Sequence, residues 1–217
     1  MSGMRLIRVG LHAGWLAGAV FLVALLWFGE IVPGYEHAHM PVSFLGMHGV
    51  PMAAYWNIAG FILPGVLVAW FALSLPAPLQ RDGAGMLARI GVWLLLISGL
   101  AFAGNGLFAY DLAEPDGAAS KLHIAMLTIA LLGFLPSTLL LALGLRRCTA
   151  WRALVACGPL LALAAVWSVA QRMGDFVPLL HGNPGYAQRI TLALYFLWLA
   201  LASLVALRSG RKRAGRP

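Results

Sequence analysis

Five of the six histidines, His37, His39, His48, His123 and His181, lie in or beside only three of the gaps between apolar segments. Six of the seven carboxylates share those gaps or the adjoining segment ends: Glu30, Glu36, Asp111, Glu114, Asp116 and Asp175. Each gap offers an acid followed by a histidine, Glu36 with His37, Asp111 with His123 and Asp175 with His181. A neutral imidazole can take a proton or bind a metal, and a neighbouring carboxylate can orient it, so such pairs suit acid–base work. His37 and His39 alternate, which in extended backbone points both rings to one side, with His48 close enough to join a metal site. An isolated H-x-H is a weak metal signature, and histidines beside Tyr35 and Trp56 equally suit a membrane interface. No metal is assigned to the site, and no cofactor is named for it.

The elements that position these groups are set by composition. With 61% hydrophobic residues, 10% charged residues and a mean hydropathy of +0.86, the chain has too little polar surface to cover a water-soluble globule. Six stretches reach or approach the roughly 20 apolar residues needed to cross a hydrocarbon layer about 30 Å thick. They run from Val9 to Phe28, Asn57 to Leu75, Ile90 to Tyr110, Leu122 to Leu145, Ala153 to Gln171 and Ile190 to Leu207. Backbone groups in lipid must bond within their own segment, so these are helices. The expected fold is an all-α integral membrane protein, a single domain over residues 1–217 built as a bundle of six transmembrane helices.

Orientation follows from lysine and arginine near the helix ends. Arg5, Arg8, Arg81, Arg89, Arg146, Arg147, Arg152, Arg208, Arg211, Lys212, Arg213 and Arg216 fall on one side, and only Lys121, Arg172 and Arg189 on the other. Both termini are therefore expected in the cytoplasm, with the histidines and acids facing out across the inner (plasma) membrane. The net charge of +8 is accounted for by this topology. Basic residues spread over four helix ends, without an aromatic-lined groove or a binding motif, argue against nucleic acid as a partner. The basic tail, 208–217, suits anionic headgroups, so membrane lipids are the expected partners. The first apolar run is too long for a secretory signal and lacks a small-x-small cleavage site, so it is read as a retained span. Cys148 and Cys157 sit on the reducing side and indicate no disulfide. His12 has no second histidine at its depth to share a haem, and is expected to bond a neighbouring helix. Lys121 and Lys212 are poorly placed for a retinal Schiff base. Gly10, Gly14 and Gly18 make one face of the first helix smooth enough for close approach, within the bundle or between copies in a homo-oligomer.

The segment from Pro33 to Trp56 is too broken by Pro41, Gly46, Gly49 and Pro51 to span. Irregular backbone survives at membrane depth only where protein or a wet cavity satisfies it, so 33–56 is the expected wall or lid of any site.

Within and after that segment, the order of residues resembles a known family. Pro33-Gly34-Tyr35, Pro41-Val42-Ser43-Phe44-Leu45-Gly46, then Asn57, Gly60-Phe61 and Gly65 match its opening signature. Gly104, Phe108, Asp111, His123, Gln188-Arg189 and Trp198 continue the match through most of the chain. The pattern is similar to the DUF998 family of uncharacterised six-helix prokaryotic membrane proteins, which implies the fold and says little of activity. The family often carries a second histidine near the position of His123, where this chain has Lys121. The matched positions pick out Ser43, Asn57, Asp111, His123 and Arg189, all expected at the outer helix ends. A serine, an acid and a histidine at one depth suit nucleophilic catalysis, with His123 taking the hydroxyl proton, Asp111 fixing its tautomer, and Asn57 or Arg189 stabilising negative charge. Asn57, Arg189 and His181 are accordingly expected to bind substrate. Structural roles compete at every position: a cap for Ser43 and Asn57, a turn for Asp111, and pairing with Asp175 or a lipid phosphate for Arg189. The functional expectation is an enzyme acting on a lipid or lipid-linked substrate by hydrolysis or group transfer. The alternatives are a protein that binds or transports a small ligand, ion or lipid, and a structural assembly partner.

Overall fold

The computed structural model describes residues 2–170 and 182–214, and its elements there are all helical. His181, Asp175 and Arg172 lie outside the described residues. Helix α1 covers Ser2–Ile31. The second span starts with α2, Ala53–Trp56, runs through a π-helical stretch at Asn57–Ile62, and continues as α3, Leu63–Ser74, and α4, Pro76–Arg81. It is followed by α5, Met86–Leu107, α6, Ala118–Leu145, α7, Arg152–Ala170, and α8, Pro184–Ala214. Six segments are long and apolar enough to cross a membrane.

Several helices outrun the segments read from hydropathy. Helix α1 starts at Ser2 rather than Val9, and α8 reaches from Pro184 to Ala214, so most of the expected basic tail is helical. Apolarity marks only the part of a helix in hydrocarbon, whereas the i to i−4 backbone bonds continue into the headgroup region. The second span begins at Ala53, shortening the irregular segment, because Met52 takes a left-handed conformation (φ 62°) that sets the entry to the helix. The π-helical stretch has a covalent cause close by. Pro64 has no N–H for the carbonyl of Gly60, and the helix widens before it, whereas Pro136 and Pro159 stay within α-helix.

The spans close into a ring: α1 packs on α3, α3 on α5, α5 on α6, α6 on α7, α7 on α8, and α8 back on α1. With no hydrophobic drive between helices in lipid, close approach comes from small residues. A methyl added at Gly65 would sit 2.4 Å from the Ala103 nitrogen and 2.6 Å from the Gly99 oxygen, so α3 and α5 touch backbone to backbone. The glycine face of α1 meets the same chain: Gly10 lies against Ser74 and Trp70, Gly14 against Leu199 and Ser203, and Gly18 against Phe196. The centre of the ring is aromatic. Phe21 stacks on Phe196 at 4.8 Å, and Tyr195 stacks on Phe102 at 5.7 Å and leans on Phe134 at 4.4 Å. The buried Tyr195 hydroxyl meets Ser98 Oγ at 3.3 Å.

Asp82 ties together the end of the bundle that carries most of the basic residues. Its carboxylate accepts Trp151 Nε1–H at 2.9 Å and Arg81 Nε–H at 3.2 Å, while its carbonyl accepts the Cys148 thiol. Burial pushes the Asp82 pKa up, but the hydrogen bonds from Trp151 and Arg81 outweigh it and hold the group below the ordinary 3.8. His12 accepts a bond from Trp15 Nε1–H of its own helix at 3.0 Å, not from a neighbouring one, because i,i+3 side chains share a helix face.

Candidate functional site

At the opposite, histidine-bearing end, the segment before α2 folds over the bundle and makes one 3₁₀ turn, Val42–Gly46, with Val42 and Leu45 fully buried. Two amide side chains brace this turn. The Val42 N–H donates to Gln188 Oε1 at 2.7 Å, and Asn57 Nδ2 donates to the Gly46 carbonyl at 3.0 Å. Gly46 must be glycine here, because a Cβ would lie 2.0 Å from Asn57 Oδ1. Ser43, inside the braced turn, is thereby held at the lip of a pocket of about 60 Å³ lined also by Phe61, Phe102, Asn105, His123, Gln188 and Thr191.

His123 enters that pocket from α6 and is almost fully buried. Its Nδ1 lies 2.8 Å from the Phe108 carbonyl oxygen. A carbonyl only accepts, so Nδ1 carries the proton and the neutral ring keeps its lone pair on Nε2, the arrangement a general base requires. Phe61 and Tyr110 each pack edge-to-face with the ring, each centroid 6.1 Å away. Gln188 spends its oxygen on Val42, which leaves its amide nitrogen as the donor at the pocket wall.

Asp111 does not orient His123. Its Oδ1 accepts the Ala113 N–H at 2.9 Å, an Asx turn, and its own N–H donates to Ser120 Oγ at 3.0 Å. The tautomer-fixing role expected of it is filled by the Phe108 carbonyl. Asn57 lies under the 3₁₀ turn and does not line the pocket.

Arg189 is separated from His123 by helix α8 itself. Gln188 lines the His123 pocket, and the next residue, about 100° further round the helix, faces a groove between α1 and α8. There Arg189 Nε–H donates to His37 Nδ1 at 3.2 Å, and Nη1 donates to the carbonyls of Met40 at 3.0 Å and Gly185 at 2.8 Å. Nη2 donates to the Tyr35 hydroxyl. Burial and the guanidinium beside it hold the His37 imidazole below its ordinary pKa of 6.5, against a smaller upward pull from Glu30. Burial raises the Tyr35 pKa. His39 turns elsewhere, donating from Nδ1 to the Gly182 carbonyl at 3.0 Å. The two rings of the H-x-H therefore engage different partners, and no cluster of three His, Cys, Asp or Glu side chains forms among the described residues.

The predicted site thus divides in two, Ser43 and His123 on one side of α8 and Arg189 on the other. Gln188, Asn105 and Thr191 are the polar pocket residues that sequence reasoning did not assign a role. Gln188 was legible as a matched position, whereas Asn105 sits in an apolar stretch with nothing around it to mark it.

Six membrane-length helices closed around an aromatic core are the fold of a multi-pass helical membrane protein. The chain belongs to the DUF998 family, proteins of unknown function, whose family model matches residues 16–205. Comparison with curated proteins and with solved structures returns no significant match to either.

Proposed function

We propose that the pocket around His123 is the reactive site of a membrane-embedded hydrolase or group-transfer enzyme, working on a lipid or lipid-linked substrate of the outer leaflet. The observation that carries this reading is that Ser43 and His123 border one pocket, with the His123 ring fixed so that Nε2 holds the lone pair. In this scheme Ser43 Oγ attacks a carbonyl carbon of the substrate while its proton passes to His123 Nε2. The Gln188 amide nitrogen donates to the developing oxyanion, and the imidazolium returns the proton to the departing alkoxide. Water, deprotonated by the same imidazole, then releases the acyl group and restores Ser43. Asp111 has no step in this scheme.

The test is labelling of the detergent-purified protein with a fluorophosphonate probe. The expected result is an adduct on Ser43, absent in Ser43→Ala and formed about 100-fold more slowly in His123→Gln, the lower end of what a general base contributes. Labelling that bypasses Ser43, or that proceeds equally in His123→Gln, refutes the enzyme reading. A second reading, ligand binding without bond cleavage, is supported by the small size of the pocket and by its apolar wall of Phe61, Phe102, Leu127, Leu131 and Leu192.

The orientation belongs to the same proposal: termini in the cytoplasm, the His123 end outside, in the inner membrane. The distribution of Arg5, Arg8, Arg146, Arg147 and Arg208 supports it. A C-terminal reporter active only in the cytoplasm is expected to be active, and an inactive one refutes the orientation.

A further inference from the structure

We infer that the groove between α1 and α8 is a binding site for a membrane phospholipid with an anionic headgroup. This site stands on the opposite side of α8 from the His123 pocket and does not depend on the enzyme reading. The groove has a volume of about 600 Å³, and its lining includes Trp15, Phe21, Leu22 and Leu26 of α1 and Phe196 and Ala200 of α8. Its polar residues, His37, Tyr186 and Arg189, gather at one end. Along α8 it runs from Arg189 to Ala200, and along α1 from Leu26 to Trp15, eleven residue steps on each helix. At 1.5 Å per residue that is about 16 Å, close to half of a hydrocarbon layer of about 30 Å. The groove therefore has the length of one leaflet, apolar along its course and polar where a headgroup begins.

Charge identifies the occupant. Arg189 is half-buried and held by neutral acceptors only: His37 Nδ1, the Met40 and Gly185 carbonyls and the Tyr35 hydroxyl. No carboxylate lies within ion-pair distance of it among the described residues. An arginine that merely reached for the interface would extend into water. This one is pinned back against the start of α8, where Gly185 gives it room: a Cβ there would lie 2.7 Å from Nη1 and 2.5 Å from the His37 carbonyl. Four of the five guanidinium N–H groups are spent on these acceptors, and one on Nη2 remains. Because His37 Nδ1 accepts from Arg189, the neutral His37 ring carries its proton on Nε2. Arg189 lines the groove beside Tyr186 and His37, while the Nε2 edge of the His37 ring packs on Gly29 of α1. Among the described residues the guanidinium has no carboxylate to offset its charge, which an anion in the groove would match. With one N–H left, the guanidinium makes a single contact to a phosphate oxygen, and the leaflet-length apolar groove beside it favours a phospholipid over free phosphate.

Native mass spectrometry of the full-length protein, with phosphatidylglycerol, phosphatidylcholine and inorganic phosphate as probes, tests this. The wild type is expected to retain phosphatidylglycerol about tenfold over phosphatidylcholine and to retain no phosphate. Arg189→Gln is expected to lose that preference. Since Arg189 also ties down the segment from Tyr35 to Met40, Ala193→Trp provides a second variant, filling the groove wall without touching the guanidinium. It is expected to lower phosphatidylglycerol retention about tenfold. Equal retention of the two lipids by the wild type overturns the proposal. So does a preference that survives both variants, and so does phosphate binding that competes with the lipid.

Discussion

Replacing Gln188 by Met tests how the pocket is held in place. The two side chains are close in length and volume, so the change leaves little cavity and its cost comes from the lost hydrogen bond. In the native structure the Val42 N–H, on a residue 1% exposed, donates to Gln188 Oε1 at 2.7 Å. In Gln188→Met that donor is buried with no acceptor, which costs about 1–3 kcal/mol. A chain of this size loses roughly 2–4 °C in melting temperature per kcal/mol, so a drop of about 4–8 °C is expected for a mid-range cost. The assay is thermal unfolding of the detergent-purified protein by tryptophan fluorescence, combined with amide hydrogen exchange resolved at Val42. Exchange at Val42 should accelerate in the variant, while amides of α5 and α6 stay protected. Because the turn that carries Ser43 loses a brace, probe labelling of Ser43 should fall as well. A melting temperature within about 1 °C of the wild type, together with unchanged exchange at Val42, would refute the reasoning that Gln188 holds the turn.

Three further outcomes follow from the geometry. Trp151→Phe removes the donor to Asp82 Oδ2 and is expected to cost about 1.5–3 kcal/mol near neutral pH, as for a hydrogen bond to a charged group. Because the folded Asp82 pKa lies below the ordinary 3.8, its contribution is fully present above that pH and is lost as pH falls through the depressed value. The gap between wild type and Trp151→Phe should therefore narrow in strong acid to the packing cost of the smaller ring at this fully buried position, and a gap that does not change with pH excludes Asp82 as a cause. Gly65→Ala places a methyl against the Ala103 nitrogen and Gly99 oxygen, both backbone, so α3 and α5 must separate at a cost of about 1–3 kcal/mol; unchanged resistance to denaturation would contradict that contact. For His37, an NMR titration should give a midpoint below 6.5 that rises in Arg189→Gln. The stabilisation His37 contributes by accepting from Arg189 is complete above 6.5 and lost as pH falls through the lowered midpoint, and a midpoint insensitive to Arg189 would break the pairing.

The sequence alone determined the six spans and the segregation of charge between their ends. Both depend on properties local to a segment: enough apolar residues to cross the hydrocarbon, and a backbone that satisfies itself as helix. It also marked the broken segment from Pro33 to Trp56 as a wall, since Pro41, Gly46, Gly49 and Pro51 exclude a span wherever they occur. The tertiary structure decided which of the polar residues share a cavity. Gln188 and Arg189 are adjacent letters, yet the turn of the helix sends them into different sites. Asp111 precedes His123 with a spacing that suggests a pair, but the group on Nδ1 is the Phe108 carbonyl, which every residue possesses and no sequence pattern can single out. His37 and His39 alternate as metal ligands would, yet one bonds Arg189 and the other Gly182, because the chain turns there instead of running extended. Span and charge are summed along the chain, whereas a site depends on how helices distant in sequence are rotated against one another. In lipid, that rotation is set by where small residues such as Gly14, Gly65 and Gly99 let backbones meet.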